Sequence, residues 1–191
     1  MKICGFIVLF AWLFSACTPK IQVRQVDSNY PIILVKGKNV NKITTVKIPL
    51  VFHLAKSSLN DIRLGSISYW HDSRFSQKNS WQAGSTLYIP QKGQLCISNQ
   101  LQKIGFVRNE FVVYTRYSTS YADTDEFGCF FQPYCDLMVE SGKDTLHIGS
   151  LQDLIKVKPD IVRDFLQGDS VLFRLYHGKE LIPYTCPVQV K

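Results

Sequence analysis

The sequence predicts a mainly β protein: an antiparallel sandwich of immunoglobulin-like form, or a partly open barrel, with a short helical insertion near residues 150–167. Three observations predict this class. Apolar residues alternate with other residues over one long segment, turn-forming residues separate many short segments rich in β-branched and aromatic side chains, and only one passage has helical spacing. No Cys-Trp-Cys spacing supports a true immunoglobulin domain.

Length and composition predict a single β-rich domain over residues 31–191. Hydrophobic residues make up 46% of the chain, which is too high a fraction for a disordered protein. At about 100 to 200 residues per domain, this segment has room for one hydrophobic core.

The clearest strand pattern covers residues 46–54. The apolar residues at every second position are Val46, Ile48, Leu50, Phe52 and Leu54. This period is typical of a strand with one buried face. Pro49 has no N–H to donate, so we expect an edge strand or a bulge. The other predicted strands are residues 32–36, 64–71, 85–89, 94–98 and 110–118.

Two β-hairpins are predicted in the last third of the chain. Their strand pairs are residues 136–140 with 144–148 and residues 171–177 with 180–184. The first turn contains Gly142. In the second turn, Gly178 stands at the first of two loop positions, where glycine suits a type II′ turn.

The helical passage lies between these hairpins. Ser150 is placed to cap a short helix, and Pro159 suits the first turn of a second one. Gly168 follows the last apolar position of the second helix and is placed to end it.

Four cysteines follow residue 30: Cys96, Cys129, Cys135 and Cys186. In an oxidising compartment an even number invites disulfides. Pro133 favours a turn that brings Cys129 and Cys135 together, which leaves Cys96 to pair with Cys186. The alternative is four free thiols that act as small hydrophobic side chains. The spacing does not match a zinc site.

An aromatic and polar stretch is the best candidate for ligand binding. Its candidate residues are Tyr69, Trp70, Arg74 and Trp81. Flat rings beside hydrogen-bonding groups suit sugars and other polar ligands. The alternative is that Trp70 fills the core between the sheets while Trp81 covers an edge.

No catalytic motif is recognisable. The chain has no G-x-S-x-G elbow, no phosphate-binding loop and no HExxH zinc helix. We therefore expect no catalytic residue, no cofactor and no metal. Active sites are assembled in space, however, so a cleft that brings His53 or His71 to a carboxylate would favour an enzyme.

The opening segment has the features of a secretory signal. Lys2 is followed by about a dozen mostly apolar residues, too few for a transmembrane helix of about 20 residues. The ending Phe14-Ser15-Ala16-Cys17 resembles the lipobox of bacterial lipoproteins, although leucine is usual where this chain has Phe14. The alternative is an ordinary cleaved signal, with Cys17 as one more secreted cysteine.

The resemblance implies a removed signal of residues 1–16, lipid on Cys17 and a tether over residues 17–30. Thr18 stands where inner-membrane lipoproteins have aspartate, so the resemblance implies an outer-membrane lipoprotein. In Bacteroidota-type lipoproteins, acidic residues after the cysteine are associated with surface export. The first acidic residue here is Asp27, so we expect the protein to face the periplasm.

Charge is unevenly distributed along the chain. Residues 17–116 contain 14 basic and 4 acidic side chains, whereas residues 117–191 contain 7 basic and 11 acidic ones. The basic part suits anionic lipid headgroups or an acidic partner, and the alternative is ordinary solvated charge.

Together these features predict a lipid-anchored cell-envelope protein acting as a non-catalytic binding or assembly module. The expected partners are the membrane, through the lipid on Cys17, and an envelope protein or glycan, with no role for nucleic acid. The alternative is a glycan-binding protein or a hydrolase with an unrecognised active site.

Overall fold

The computed structural model describes residues 21–71, 81–118 and 125–190, and the side chains of residues 81–84 and 125–127 lie outside this description. The described residues are mainly β, with 53% strand and 19% helix. Their strands form three antiparallel sheets, which confirms the predicted sandwich class. No helix within the described ranges is long and apolar enough to cross a membrane.

The described strands, in chain order, are β1 (Ile21–Val26), β2 (Pro31–Lys36), β3 (Ile43–Lys47), β4 (Pro49–Lys56), β5 (Ile62–His71), β6 (Trp81–Ser85), β7 (Leu87–Gln91), β8 (Gln94–Ile97), β9 (Gln102–Ile104), β10 (Asn109–Tyr114), β11 (Tyr117–Ser118), β12 (Thr145–Ser150), β13 (Ser170–His177) and β14 (Glu180–Pro187). The described helices are α1 (Asp125–Glu140), α2 (Leu151–Val157) and α3 (Pro159–Leu166).

The first sheet has the order β1-β4-β10-β7-β8, and the second has the order β11-β3-β2-β12. The third has the order β14-β13-β5-β6, with β9 also paired to β5. The first and third sheets meet face to face. Between them, the rings of Phe52 and Phe173 pack edge to face at 5.2 Å, a favourable geometry for aromatic side chains.

Two chain segments pass between the first and second sheets. They bend at Ile48, between β3 and β4, and at Thr115, between β10 and β11. The Thr115 N–H donates to the Ile48 carbonyl at 2.9 Å. The Ile48 N–H donates to Thr115 Oγ1 at 3.0 Å. Because both residues are buried, these bonds satisfy backbone groups that have no access to water at the bends.

Because of these two bends, two predicted strands are wrong in their bounds. Residues 46–54 and 110–118 are each divided between two strands, although the alternating apolar residues of the first segment are buried as predicted. Pro49 is the first residue of β4, which lies between β1 and β10 and not at an edge. Proline is tolerated at that position because a strand's first residue need not donate to the ladder.

The predicted hairpin of residues 136–140 and 144–148 is wrong. Residues 136–140 are the end of α1, and β12 pairs with β2 instead. The helix buries Phe131, Cys135 and Met138, whose spacing of four and three places them on one helical face. Gly142 follows the helix with a φ of +64°, which suits a glycine helix end.

The helical insertion and the second hairpin are confirmed. Ser150 and Asp153 form a reciprocal capping box at the start of α2, and Pro159 is the first residue of α3. Gly168 follows α3 with a φ of +88°. Between β13 and β14, Gly178 has a φ of +59°, as a type II′ turn requires.

The tether prediction is wrong over residues 21–26, which form β1 and pair with β4 from Ile21 opposite Lys56 to Val26 opposite Val51. β1 satisfies the backbone of one edge of β4 and packs apolar side chains on the core. Residues 17–20 lie outside the described ranges.

We predict that Pro133→Ala stabilises the protein. Pro133 lies inside α1 and is exposed. Since proline lacks an N–H and crowds the preceding turn, its replacement is expected to raise the free energy of unfolding by about 1–3 kcal/mol. Urea denaturation measures this. The neighbouring exposed control Gln132→Ala should change it by less than about 0.5 kcal/mol, and a less stable Pro133→Ala protein would contradict the prediction.

Candidate functional site

Four polar side chains form a buried cluster where the second and third sheets meet the helices. We call Tyr69, His71, Tyr117 and Asp169 the Asp169 cluster. Tyr69 and His71 come from β5, Tyr117 comes from β11, and Asp169 lies between α3 and β13. Each residue is only 1–3% exposed.

Asp169 is the hydrogen-bond acceptor of this cluster. The hydroxyl groups of Tyr69 and Tyr117 donate to Asp169 Oδ2 at 2.8 Å and 2.5 Å. The two hydroxyl oxygens lie 2.9 Å apart, and His71 Nδ1 lies 3.6 Å from Asp169 Oδ2. A buried carboxylate must be hydrogen-bonded, because its desolvation is otherwise very costly.

Burial and the neighbouring carboxylate raise the pKa of Tyr69 well above its usual value. Burial, together with Tyr69 and Asp169, raises the pKa of Tyr117 in the same direction. Both phenols therefore stay protonated and act as hydrogen-bond donors. The four side chains are buried, and their hydrogen bonds join the segment between α3 and β13 to the second and third sheets.

A second polar group lies on the outer face of the first sheet. We call Arg24, His53, Glu110 and Tyr30 the outer row. Arg24 and Glu110 are the cross-strand neighbours of His53 on β1 and β10. The alternate residues of β4 point into the core, so His53 points outward.

The outer row is hydrogen-bonded and partly open to solvent. Glu110 Oε2 lies 3.4 Å from His53 Nε2, and the Tyr30 hydroxyl donates to Glu110 Oε1 at 3.0 Å. The side chains of His53 and Glu110 are 25% and 38% exposed. Burial and the bond to Glu110 raise the pKa of Tyr30 to about 12, so this phenol also remains a donor.

The chemistry of the outer row suits recognition of a polar ligand. Arg24 provides a cation, Glu110 an anion and His53 an imidazole. His53 Nδ1 is buried and has no hydrogen-bond partner among the described residues. No described hydroxyl or thiol bonds to His53 as a serine or cysteine nucleophile would.

A groove of about 240 Å³ continues from the outer row. Arg24 belongs to both. The groove runs between the end of β1, the start of β4 and α2, and its polar lining includes Asp27, Gln152 and Gln189.

The structure separates the predicted aromatic site. Tyr69 points inward into the Asp169 cluster, whereas Trp70, its neighbour on β5, points to the opposite face and is partly exposed. Tyr69, not Trp70, is the buried ring, so the alternative that Trp70 fills the core is also wrong. Arg74 and the side chain of Trp81 lie outside the described residues.

The predicted disulfide between Cys129 and Cys135 does not fit this fold, and all four cysteines are free thiols in the structure. Cys129 and Cys135 lie on one helix, where a six-residue separation rises about 9 Å, too far for a disulfide. Cys96 is on β8, the edge of the first sheet opposite β1. Cys186 is on β14, an edge strand of the third sheet. Burial raises the pKa of the Cys135 and Cys186 thiols.

Arg24, Glu110 and Asp169 were not predicted to belong to a polar group. His53 and His71 were predicted only as histidines that would favour an enzyme if a cleft brought them to a carboxylate. The sequence does contain a pattern that could have indicated Glu110, since it is an acidic residue in a predicted strand rich in β-branched and aromatic side chains. No local sequence pattern could have indicated Asp169, because its partners come from strands about 50 and 100 residues earlier.

No family model matches the chain, and neither a curated protein nor a solved structure does.

We predict that Tyr117→Phe destabilises the protein more than Tyr114→Phe. The first variant removes a bond to a buried carboxylate, at a cost of about 1.5–3 kcal/mol. The second removes a bond to the neutral Pro31 carbonyl, at a cost of about 0.5–1.5 kcal/mol. Denaturant melts at neutral pH measure both, and equal losses would contradict the assigned role of Asp169.

The same variant tests the raised tyrosine pKa. The native state holds the Tyr117 proton more tightly than the unfolded state does. The contribution of this proton to the free energy of unfolding is therefore complete below a pH of about 10 and is lost as the pH rises above it. The free energy of unfolding should therefore fall less steeply with rising pH in Tyr117→Phe than in the wild type.

Proposed function

We propose that this protein is a lipid-anchored cell-envelope protein whose β sandwich is a non-catalytic binding or assembly module. The outer row and the adjoining groove form its binding surface. The observation that carries this proposal is the outer row itself, a partly exposed group of cation, imidazole and carboxylate on a rigid sheet.

The anchor part of the proposal rests on the sequence ending in Cys17. Its resemblance to a lipobox supports lipid attachment at Cys17 and removal of residues 1–16. The absence of an acidic residue before Asp27 supports an outer-membrane lipoprotein that faces the periplasm. Several acyl chains on one residue hold a protein to a bilayer far better than one chain does.

The chemistry of the surface indicates the kind of ligand. Arg24 presents donors to a carboxylate or phosphate, and Glu110 accepts from hydroxyl or amide groups. An envelope protein or a glycan with both kinds of group fits this pattern.

A hydrolase is the second candidate, and one observation favours it. His53 and Glu110 lie at a distance that suits a histidine base and its orienting carboxylate. The candidate lacks a nucleophile among the described residues that bond to His53, so binding is the better-supported function.

Membrane fractionation of the producing cells tests the anchor. We expect Cys17→Ser to move the protein into the soluble fraction, because the lipid-accepting thiol is gone. Cys4→Ser, the matched control within the signal, should leave the protein in the membrane fraction. Retention of Cys17→Ser in the membrane with an unchanged mass would reject lipid attachment.

Crosslinking in intact cells tests the binding surface. We expect the wild type to capture a membrane-associated partner. A double variant, Arg24→Ala with His53→Ala, should reduce the yield at least tenfold, since the loss of one hydrogen bond to a charged group already costs about 1.5–3 kcal/mol. Arg163→Ala, an exposed cation on α3, is the control. Equal yields from all three proteins would reject the outer row as the binding surface.

A further inference from the structure

Strand register places two neighbouring loops at the same end of the domain as the start of β1. Ile21 pairs with Lys56, the last residue of β4, so the loop of residues 57–61 follows directly from that end. The Lys56 N–H donates to the Gly105 carbonyl at 3.0 Å, which brings in the loop of residues 105–108. We call these two loops the tip.

The tip exposes three large apolar side chains. Leu59 is 92% exposed, Val107 81% and Phe106 59%. Single exposed apolar residues are ordinary, but a group of them on adjacent loops marks an interaction site. The Lys56 ammonium lies 5.1 Å from the centroid of the Phe106 ring, so the apolar and basic groups are interleaved.

Basic side chains surround this apolar group. Arg108 lies in the tip, and Arg63 and Lys103 are cross-strand neighbours beside it. These three cations stand against one nearby carboxylate, Asp61, which pairs with Arg63 at 2.8 Å and Lys103 at 3.8 Å. Lys56 is not counted with them, because it is only 7% exposed and its ammonium donates to the Asn60 carbonyl. The tip therefore has a surplus of positive charge.

The β13–β14 turn lies at the same end, because His177 pairs with Ile62. This turn adds one charge of each sign, from Lys179 and Glu180, which leaves the surplus of positive charge unchanged.

We propose that the tip docks on an anionic lipid bilayer, a proposal that rests on lipid attachment at Cys17. Cys17 precedes Ile21 by four residues, which span at most about 14 Å. An anchor on Cys17 therefore holds this end of the sandwich at the bilayer. Leu59, Phe106 and Val107 enter the headgroup region, while the cations contact headgroup phosphates.

This docking orients the whole domain. β5 has ten residues and begins at the tip end, so it extends about 30 Å away from the bilayer. The groove at the far end of β1 then faces away from the membrane, where a periplasmic partner can reach it.

Vesicle co-sedimentation without the lipid anchor tests the tip. The protein is the mature chain of residues 17–191 with Cys17→Ser, which contains every described residue. We expect it to bind vesicles of phosphatidylcholine with phosphatidylglycerol, more weakly as salt increases, and to bind pure phosphatidylcholine less. The triple variant Leu59→Ser, Phe106→Ser and Val107→Ser should lower vesicle partition at least tenfold.

A matched control changes exposed apolar residues away from the tip. Leu137→Ser with Val157→Ser, on α1 and α2, should leave partition unchanged. Absence of binding to anionic vesicles, or equal binding by the tip and control variants, would overturn the proposal. Self-association abolished by the tip variant would assign the tip to a second copy of the chain. The protein in this experiment has no lipid anchor, so a failure to bind vesicles counts against the tip alone. Lipid attachment at Cys17 is tested separately, by the cell fractionation described above.

Discussion

The buried carboxylate of Asp169 is the constraint on which the arrangement of helices and sheets depends. It lies where α3 ends and β13 begins, so satisfying it requires donors from elsewhere in the chain. Tyr69 on β5 and Tyr117 on β11 supply them. Because those strands belong to different sheets, one hydrogen-bonded group holds the third sheet, the second sheet and the helical insertion together. Loss of a donor leaves a buried charge incompletely satisfied, which is far more costly than loss of an exposed bond.

A second constraint is strand direction, which gives the domain two unlike ends. The start of β1 and the two loops of the tip lie at one end, and the Asp169 cluster lies at the other. Buried polar side chains thus stabilise the end of the domain away from Ile21, while exposed apolar and basic groups occupy the end at which β1 begins. The outer row and its groove lie along the flank between these ends. In the proposed orientation, attachment and recognition use separate surfaces of one rigid body.

Local signals were sufficient for some elements and insufficient for others. Ser150, Pro159 and Gly168 predicted the helical insertion because caps and helix ends depend on residues that are close in sequence. Gly178 predicted its hairpin for the same reason. Pro133 obscured α1, although Phe131, Cys135 and Met138 carry the helical spacing that reveals it. The cysteine pairing failed because an even count predicts a disulfide only when the backbone brings two Cβ atoms together.

The sequence by itself determined the mainly β class, the alternating core of residues 46–54 and the local turns, because periodicity and turn chemistry act over a few residues. It also supplied the lipobox resemblance at Cys17, which is a property of adjacent residues. Only the tertiary structure decided that Tyr69 is an internal donor, that His53 meets Glu110, and that Leu59 and Phe106 share a tip with the start of β1. These depend on strand register and on which sheet each strand joins. Contacts between residues 50 or 100 positions apart are decided by the packing of the complete core, which no local pattern records.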